Sequence, residues 1–366
     1  MTTPATKRDS GIDLLRLFSM GLIVLHHLLS HGGLLFAFPV FSASGMAMHL
    51  LNAFARCAVN TYALISGYVM VHSRFRPSRL IGLWLQVVFY GVIAVLCLPL
   101  MAPGLSATPS DWLHALMPVT HDHYWYFTCY AVIFCLSPAL NLLLHRMTRK
   151  QAGGLAFALV GLFSLLPALT AGDPFQLQNG YHFGWLLILY LLGGMLRIYG
   201  FGTLGKARNA LLCITICSLL AWISRLVFLA AGLQQLQEVL LSYTAPTLLL
   251  SAVAMLALFQ GKRLPKWLGK AATVLSPLSF GVYLIHDNPL VREHLLRMRM
   301  TGLAGFSPVG LLGGLFVCWF GIYAVCLLIE WLRSKLFALL RVPAVCVRME
   351  KRLEKLANTV FPEADA

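Results

Sequence analysis

Charge is what this sequence has least of. Asp, Glu, Lys and Arg make up only 11% of its 366 residues, and the acids are outnumbered by the bases, 13 to 28. A soluble domain of this length would carry roughly a quarter charged residues to keep its surface hydrated, so the bulk composition alone excludes that class. Paired cysteines are missing too. Cys57, Cys97, Cys129, Cys135, Cys213, Cys217, Cys318, Cys326 and Cys346 are scattered, form no CxxC and lie mostly inside apolar runs. They read as small packing residues, not as zinc or redox groups. No repeat of fixed period and no soluble second domain stands out. The opening apolar run lacks an A-x-A cleavage site and contains Asp13, Arg16, His26 and His27, so it is expected to be a retained helix and not a signal peptide. The net charge of +15 comes from short basic clusters between apolar runs. With no basic face interleaved with aromatics, it does not indicate nucleic acid.

What is abundant is apolar: 59% hydrophobic residues, with a mean hydropathy of +0.77. A helix that crosses a bilayer needs about 20 mainly apolar residues. Ten stretches qualify, at 11–30, 49–72, 79–101, 122–144, 152–170, 182–199, 209–232, 239–259, 272–290 and 308–332. The fold class expected is therefore all-α, a polytopic transmembrane bundle of about ten helices spanning residues 1–332. The segment 102–121, with Pro, Gly, Ser and Asp, reads as an external loop. Residues 333–366 alternate basic and apolar positions before an acidic end, the pattern of an amphipathic tail on an anionic cytoplasmic leaflet.

Lys and Arg sort the connections into two sets, which gives the orientation. Lys7 and Arg8, Arg74 to Arg79, Arg146 to Lys150, Arg197 to Arg208, Lys262 to Lys270 and the tail carry the positive charge; the loops near 31–48, 102–121, 171–181 and 233–238 carry none. Both termini are thus expected in the cytoplasm. One loop dissents: 291–307 holds Arg292, Arg297 and Arg299 on the outer side.

Ionisable side chains inside a span cost about 2.5–3.5 kcal/mol on insertion scales and need a reason. The first helix concentrates them. Asp13 and Arg16, three residues apart, share a face and can pair. Arg16 and His27 are eleven residues apart; at about 100° per residue they point the same way, about 16 Å apart along the axis. One stripe then links a cytosol-side guanidinium to an imidazole farther out in the same bore. A buried pair that fixes helix packing would explain Asp13 and Arg16 equally, and His26, about 100° off the stripe, reads as a packing group. Elsewhere, His286 follows Tyr283 near the outer end of the ninth span, and His123, Tyr124, Trp125 and Tyr126 open the fourth. Aromatic residues are ordinary at membrane interfaces. The HDH at 121–123 lacks a third ligand at suitable spacing, so no metal is expected.

Taken in order, several of these segments resemble the acyltransferase-3 family of bacterial membrane-bound O-acyltransferases of surface polysaccharides. An acidic residue, Arg three later and R-x10-H in the first helix match Asp13, Arg16 and His27. Ser66, Gly67 and Tyr68 resemble the Ser-Gly-aromatic end of the second helix, although Tyr-Ala-Leu-Ile precedes them in place of a Phe-rich run. Arg74, Arg76 and Arg79 follow as a basic loop. HYWYF at 123–127 and SFGVYLIH at 279–286 resemble later motifs.

The resemblance implies transfer of an acyl group, usually acetyl, from cytoplasmic acyl-CoA to a hydroxyl of an envelope glycan or lipid-linked sugar, in the inner membrane. It assigns His27 as base or transient acyl carrier and Arg16 as stabiliser of developing charge or holder of the donor. Arg74, Arg76 and Arg79 would attract the CoA phosphates, a role that pure topology signal rivals. Asp13, Ser66, Trp125, Tyr126, Tyr283 and His286 would support the site. Acyl-CoA is expected as donor substrate, with no bound cofactor; the partners are that donor, the saccharide and membrane lipids. Some relatives carry a periplasmic esterase-like domain; none follows here, which implies direct transfer. Two other classes stay open. A glycan transporter or flippase also needs buried Arg and His, and a non-catalytic export-complex component would tolerate loss of His27.

Overall fold

The computed structural model describes residues 8–360, and every regular element among them is helical. Thirteen helices follow in chain order: α1 (Ser10–Ser30), α2 (Ala43–Ala55), α3 (Ala58–Met70), α4 (Pro77–Met101), α5 (Pro109–Leu116), α6 (Trp125–Arg146), α7 (Arg149–Thr170), α8 (Phe183–Tyr199), α9 (Ala207–Ala230), α10 (Pro246–Phe259), α11 (Lys266–His286), α12 (Pro308–Leu339) and α13 (Val342–Val360). All ten expected stretches fall on helices, but only α1, α4, α6, α7, α9, α11 and α12 are long and apolar enough to cross alone. The chain is an all-α membrane bundle.

The three departures from ten plain spans have one theme. The expected span at 49–72 is broken at Arg56 and Cys57 into α2 and α3. Each has 13 residues, about 20 Å of helix, short of a hydrocarbon core of about 30 Å. The span at 239–259 shrinks to the 14 residues of α10, and α8 has 17. Non-helical backbone at membrane depth survives only where it is buried in protein or lines a cavity. Here it is satisfied internally. Asn60 Nδ2 donates to the Tyr243 carbonyl at 2.7 Å, Ser164 Oγ to the Thr244 carbonyl at 2.6 Å, and the Tyr243 amide to the Asn179 carbonyl at 3.0 Å.

α1 is the central strut. Asp9 caps its start, accepting from the amides of Gly11 and Ile12, and Asp13 in the first turn lies at the positive end of the helix dipole. α12 clamps one flank: Trp319 Nε1 donates to the Gly21 carbonyl at 2.7 Å and the Tyr323 hydroxyl to the Leu17 carbonyl at 2.9 Å. On another flank His26 Nδ1 meets Asn52 Oδ1 at 2.7 Å, tying α1 to α2. α3 and α8 touch backbone to backbone, since a Cβ at Gly67 would strike the Tyr190 carbonyl and one at Gly193 the Leu64 carbonyl. The outer face of α12 is apolar and exposed at Phe316, Val317, Phe320 and Leu328, which suits lipid. α12 continues past residue 332 to Leu339, and α13 then folds back beside α4.

Candidate active site

Two cavities open at opposite ends of α1. The first, of about 470 Å³, is reached by His26, His27 and His31 from α1 and its C-terminal end, by Arg56 from the α2–α3 break, and by Trp125, Tyr126, Tyr243, Tyr283 and Asp287. His27 forms its most telling contact. Its Nδ1 lies 3.0 Å from His286 Nε2, and His286 Nδ1 lies 2.6 Å from the Val282 carbonyl oxygen. A carbonyl only accepts, so His286 carries its proton on Nδ1 and, as a neutral ring, presents a lone pair at Nε2. That nitrogen must be met by Nδ1–H of His27. His27 is thereby held in the tautomer whose Nε2 keeps a free lone pair.

An acid stands beside this pair. Asp287, buried at 5% exposure, has Oδ1 3.6 Å from His27 Nδ1 and 3.1 Å from an Arg292 guanidinium nitrogen. His31, one residue past the end of α1, is pushed below the ordinary histidine value by burial, with Asp287 pulling the other way. Donor atoms of His27, His31 and Asp287 lie within 4.8 Å of one another, close enough for a cation. Within this cluster Asp287 Oδ1 accepts from Arg292 and His27 Nδ1 meets His286. At its edge the Tyr283 hydroxyl is buried without a partner in hydrogen-bonding geometry among the described residues. Tyr124 holds the turn after α11 in position, donating to the Leu284 carbonyl at 2.7 Å while accepting from Asn288 at 2.7 Å.

The second cavity, of about 670 Å³, is basic. Arg16, Arg76, Arg79 and Arg333 reach its wall with Ser66, Tyr130 and the first residues of α13. Arg16 lies 3.4 Å from Asp13, whose nearer partner is Arg8 at 2.7 Å. Arg76 is 3.4 Å from Glu350 of α13, and Arg333 pairs with the fully buried Glu330, which also accepts from Tyr90 at 2.7 Å. Arg79 has no carboxylate partner among the described residues. Arg74 is exposed in the turn before α4 and does not reach this wall.

The stripe on α1 predicts one open bore shared by Arg16 and His27, but the two residues line separate cavities. A layer of tyrosines divides the two cavities. Tyr62 and Tyr126 border the first and Tyr130 the second, with a void of about 10 Å³ between Ser66, Tyr126 and Tyr130. Tyr62 is fixed by a 2.8 Å hydrogen bond to Ser279. The helical period puts both side chains on one face but carries no information on what neighbouring helices insert between them.

Of the residues singled out in the sequence, His27, His286, Tyr283, Tyr126 and Trp125 gather at the first cavity, with His286 contacting it through His27. Arg16, Ser66, Arg76 and Arg79 gather at the second, with Asp13 behind Arg16. Asp287, Arg292, His31, Arg56, Arg225, Glu238 and Arg333 complete these walls and were not singled out as site residues. Arg56 and Arg225 carried the same signal as Arg16, a guanidinium inside an apolar run. Arg292 belonged to the dissenting loop, and its pairing with Asp287 explains why that loop carries positive charge at this end.

Among known families, the model described as an acyltransferase domain, acyltransferase-3, matches residues 9–331. No curated protein and no solved structure matches the chain.

Proposed function

Since this chain belongs to the acyltransferase-3 family and is a membrane acyltransferase, we propose that it carries an acyl group, acetyl in the simplest case, from acyl-CoA to a hydroxyl of an envelope glycan or lipid-linked sugar. The basic cavity receives the donor. Arg16, Arg76, Arg79 and Arg333 suit the CoA phosphates, which guanidinium groups bind through charge-assisted hydrogen bonds. Arg74 contributes at most to long-range attraction. Because CoA is cytoplasmic, that cavity faces the cytoplasm, in keeping with the Lys- and Arg-rich connections at the same end, and both termini lie there, in a bacterial inner membrane.

The observation that carries the reading is the His27–His286–Val282 chain of hydrogen bonds, which leaves the Nε2 lone pair of His27, a residue of the first cavity, unused. A sugar hydroxyl is a poor nucleophile at neutral pH. His27 Nε2 takes its proton as the oxygen attacks the thioester carbonyl carbon. The C–O bond forms, the C–S bond breaks, and the proton passes from His27 to the departing thiolate, giving the ester and CoA. Asp287, 3.6 Å from His27 Nδ1, favours the transient imidazolium through its charge. The Tyr283 hydroxyl, without a partner of its own, offers a hydrogen bond to the oxyanion of the tetrahedral intermediate. The thioester reaches this point by passing the tyrosine layer, with Ser66 and Tyr126 beside its path and Trp125 on the acceptor side.

The test is NMR of surface glycans from cells with the chain, without it, and with His27→Ala inserted at normal level. Ester acetyl or succinyl signals should appear only with the unaltered chain. Signals that persist with His27→Ala would remove the catalytic assignment. Loss of glycan export in place of acylation would convert the reading to transport.

A further inference from the structure

The first cavity holds a second cluster that the transfer chemistry does not use. Arg56, at the break between α2 and α3, and Arg225, near the end of α9, converge on one carboxylate, Glu238, in the connection to α10. The arginine side chains are 16% and 13% exposed, whereas Glu238 is 43% exposed. The cations are largely buried in the wall and the anion is the more exposed member. Among the described residues of the lining, the guanidinium groups of Arg56, Arg225 and Arg292 face the carboxylates of Glu238 and Asp287 alone, so the cavity keeps an uncompensated positive charge. Such a charge at membrane depth is costly unless a ligand balances it.

An aromatic floor adjoins the cluster. The rings of Trp125 and Tyr243 lie nearly parallel, 20° apart, with Tyr181 edged against both at 4.7 and 5.1 Å. Arg56 sits over the Tyr243 ring at 5.5 Å. Tyr243 is buried beneath Arg56, and the more open rings of Trp125 and Tyr181 beside it form a surface for a pyranose ring that bears an anion: the apolar C–H face lies on those two rings while the anion meets the forks.

We propose that the acceptor is a saccharide carrying an anionic substituent, a uronate carboxylate or a phosphate ester, with Arg56 and Arg225 as its ligands and Glu238 as an internal placeholder that the anion displaces. The acceptor role rests on the acyl-transfer reading; the anion subsite stands apart from it. Glu238 then sets selectivity: it repels an anion when present, and its removal strengthens anion binding.

The experiment uses the full-length chain in nanodiscs and three probes, methyl glucuronide, glucose 1-phosphate and methyl glucoside. Binding is read by ligand-observed NMR and acetyl transfer from acetyl-CoA in parallel. At least one anionic probe should bind about 10-fold tighter than the neutral glucoside, the gain expected of one charge-assisted contact. Preference for the glucuronide names a uronate, and preference for the phosphate names a phosphorylated sugar. Glu238→Gln should strengthen anion binding and leave the glucoside unchanged. Arg225→Gln should abolish the preference and Arg225→Lys, which keeps the charge, should retain part of it. Equal binding of charged and neutral probes, or a Glu238→Gln variant with unaltered selectivity, overturns the subsite. Acetylation of all three sugars without charge preference sinks the subsite and leaves acyl transfer standing; charge-selective binding without transfer to any sugar does the reverse.

Discussion

His27 and His286, 259 residues apart in the chain, meet nitrogen to nitrogen at 3.0 Å, and the second ring is anchored to the backbone of its own helix. In the proposed transfer the pair acts as one unit: His286 sets the tautomer, and His27 takes the proton. His27→Ala should lower kcat about 10²–10⁴-fold, the usual worth of general base catalysis. His286→Ala should cost less, and the double variant should be no worse than His27→Ala alone, because coupled residues do not add. The pH profile separates base from scaffold. A protonated Nε2 cannot accept, so kcat of the unaltered chain should fall as pH falls, and His27→Ala should lose that acid limb. An additive double variant, or an acid limb that survives His27→Ala, would assign the pair to packing.

The three arginines before and within the start of α4 should behave differently although the sequence groups them. Arg79 faces the basic cavity without a carboxylate partner, so Arg79→Gln should raise KM for acetyl-CoA about 10-fold while leaving kcat near normal. Arg74→Gln, altered at an exposed position off the wall, should leave KM unchanged. Steady-state kinetics with acetyl-CoA and 3′-dephospho-CoA would check both, and KM should rise with ionic strength if phosphate contacts carry the affinity. Equal effects at Arg74 and Arg79 would mean that charge near the opening matters and the cavity does not.

In the proposed transfer, the Tyr62, Tyr126 and Tyr130 layer between the cavities has to admit a thioester while refusing water. Tyr126 borders the first cavity and the small void beyond it. Tyr126→Ala should join the compartments and raise thiol release from acetyl-CoA several-fold in the absence of acceptor, whereas Tyr126→Phe, which keeps the ring, should not. Thiol titration of the purified variants measures this directly. A Tyr126→Ala enzyme that stays silent without acceptor would show that the barrier lies elsewhere.

Much of this was legible before any coordinates, because charges in apolar runs are anomalies that sequence alone exposes. Arg16, His27 and His286 stood out on that ground, and the seven long spans followed from length and composition. The same ground covered Arg56 and Arg225, but their shared partner Glu238 lies far off in sequence from Arg56 and in a connection with no Lys or Arg, so no local spacing joins them. Helical period also could not reveal the tyrosine layer, which comes from three side chains on two other helices. Nor could the basic tail disclose that α13 folds back to wall the basic cavity, with Glu350 beside Arg76. Residues on one helix are related by its period; the meeting of α1 with α11, or α4 with α13, is a matter of how helices pack.

Packing at the α3–α8 contact supplies the last test, because glycines at different depths of the bundle should respond oppositely to the same methyl group. Gly67 belongs to the Ser-Gly-Tyr segment, and a Cβ there would run into the backbone carbonyl of Tyr190, which no rotamer change relieves. Gly67→Ala must therefore push two helices apart, costing about 1–3 kcal/mol by the usual penalty of overpacking, and it should shift Ser66 and Tyr68 with it. Gly153, on the lipid side of α7, has nothing within 4 Å. There alanine relieves the entropy cost of glycine in a helix and should stabilise by up to about 1 kcal/mol. Thermal unfolding in detergent should thus show Tm falling for Gly67→Ala and holding or rising for Gly153→Ala. If both variants melt alike, α3 and α8 do not touch backbone to backbone, and the walls of both cavities that α3 supplies would have to be redrawn.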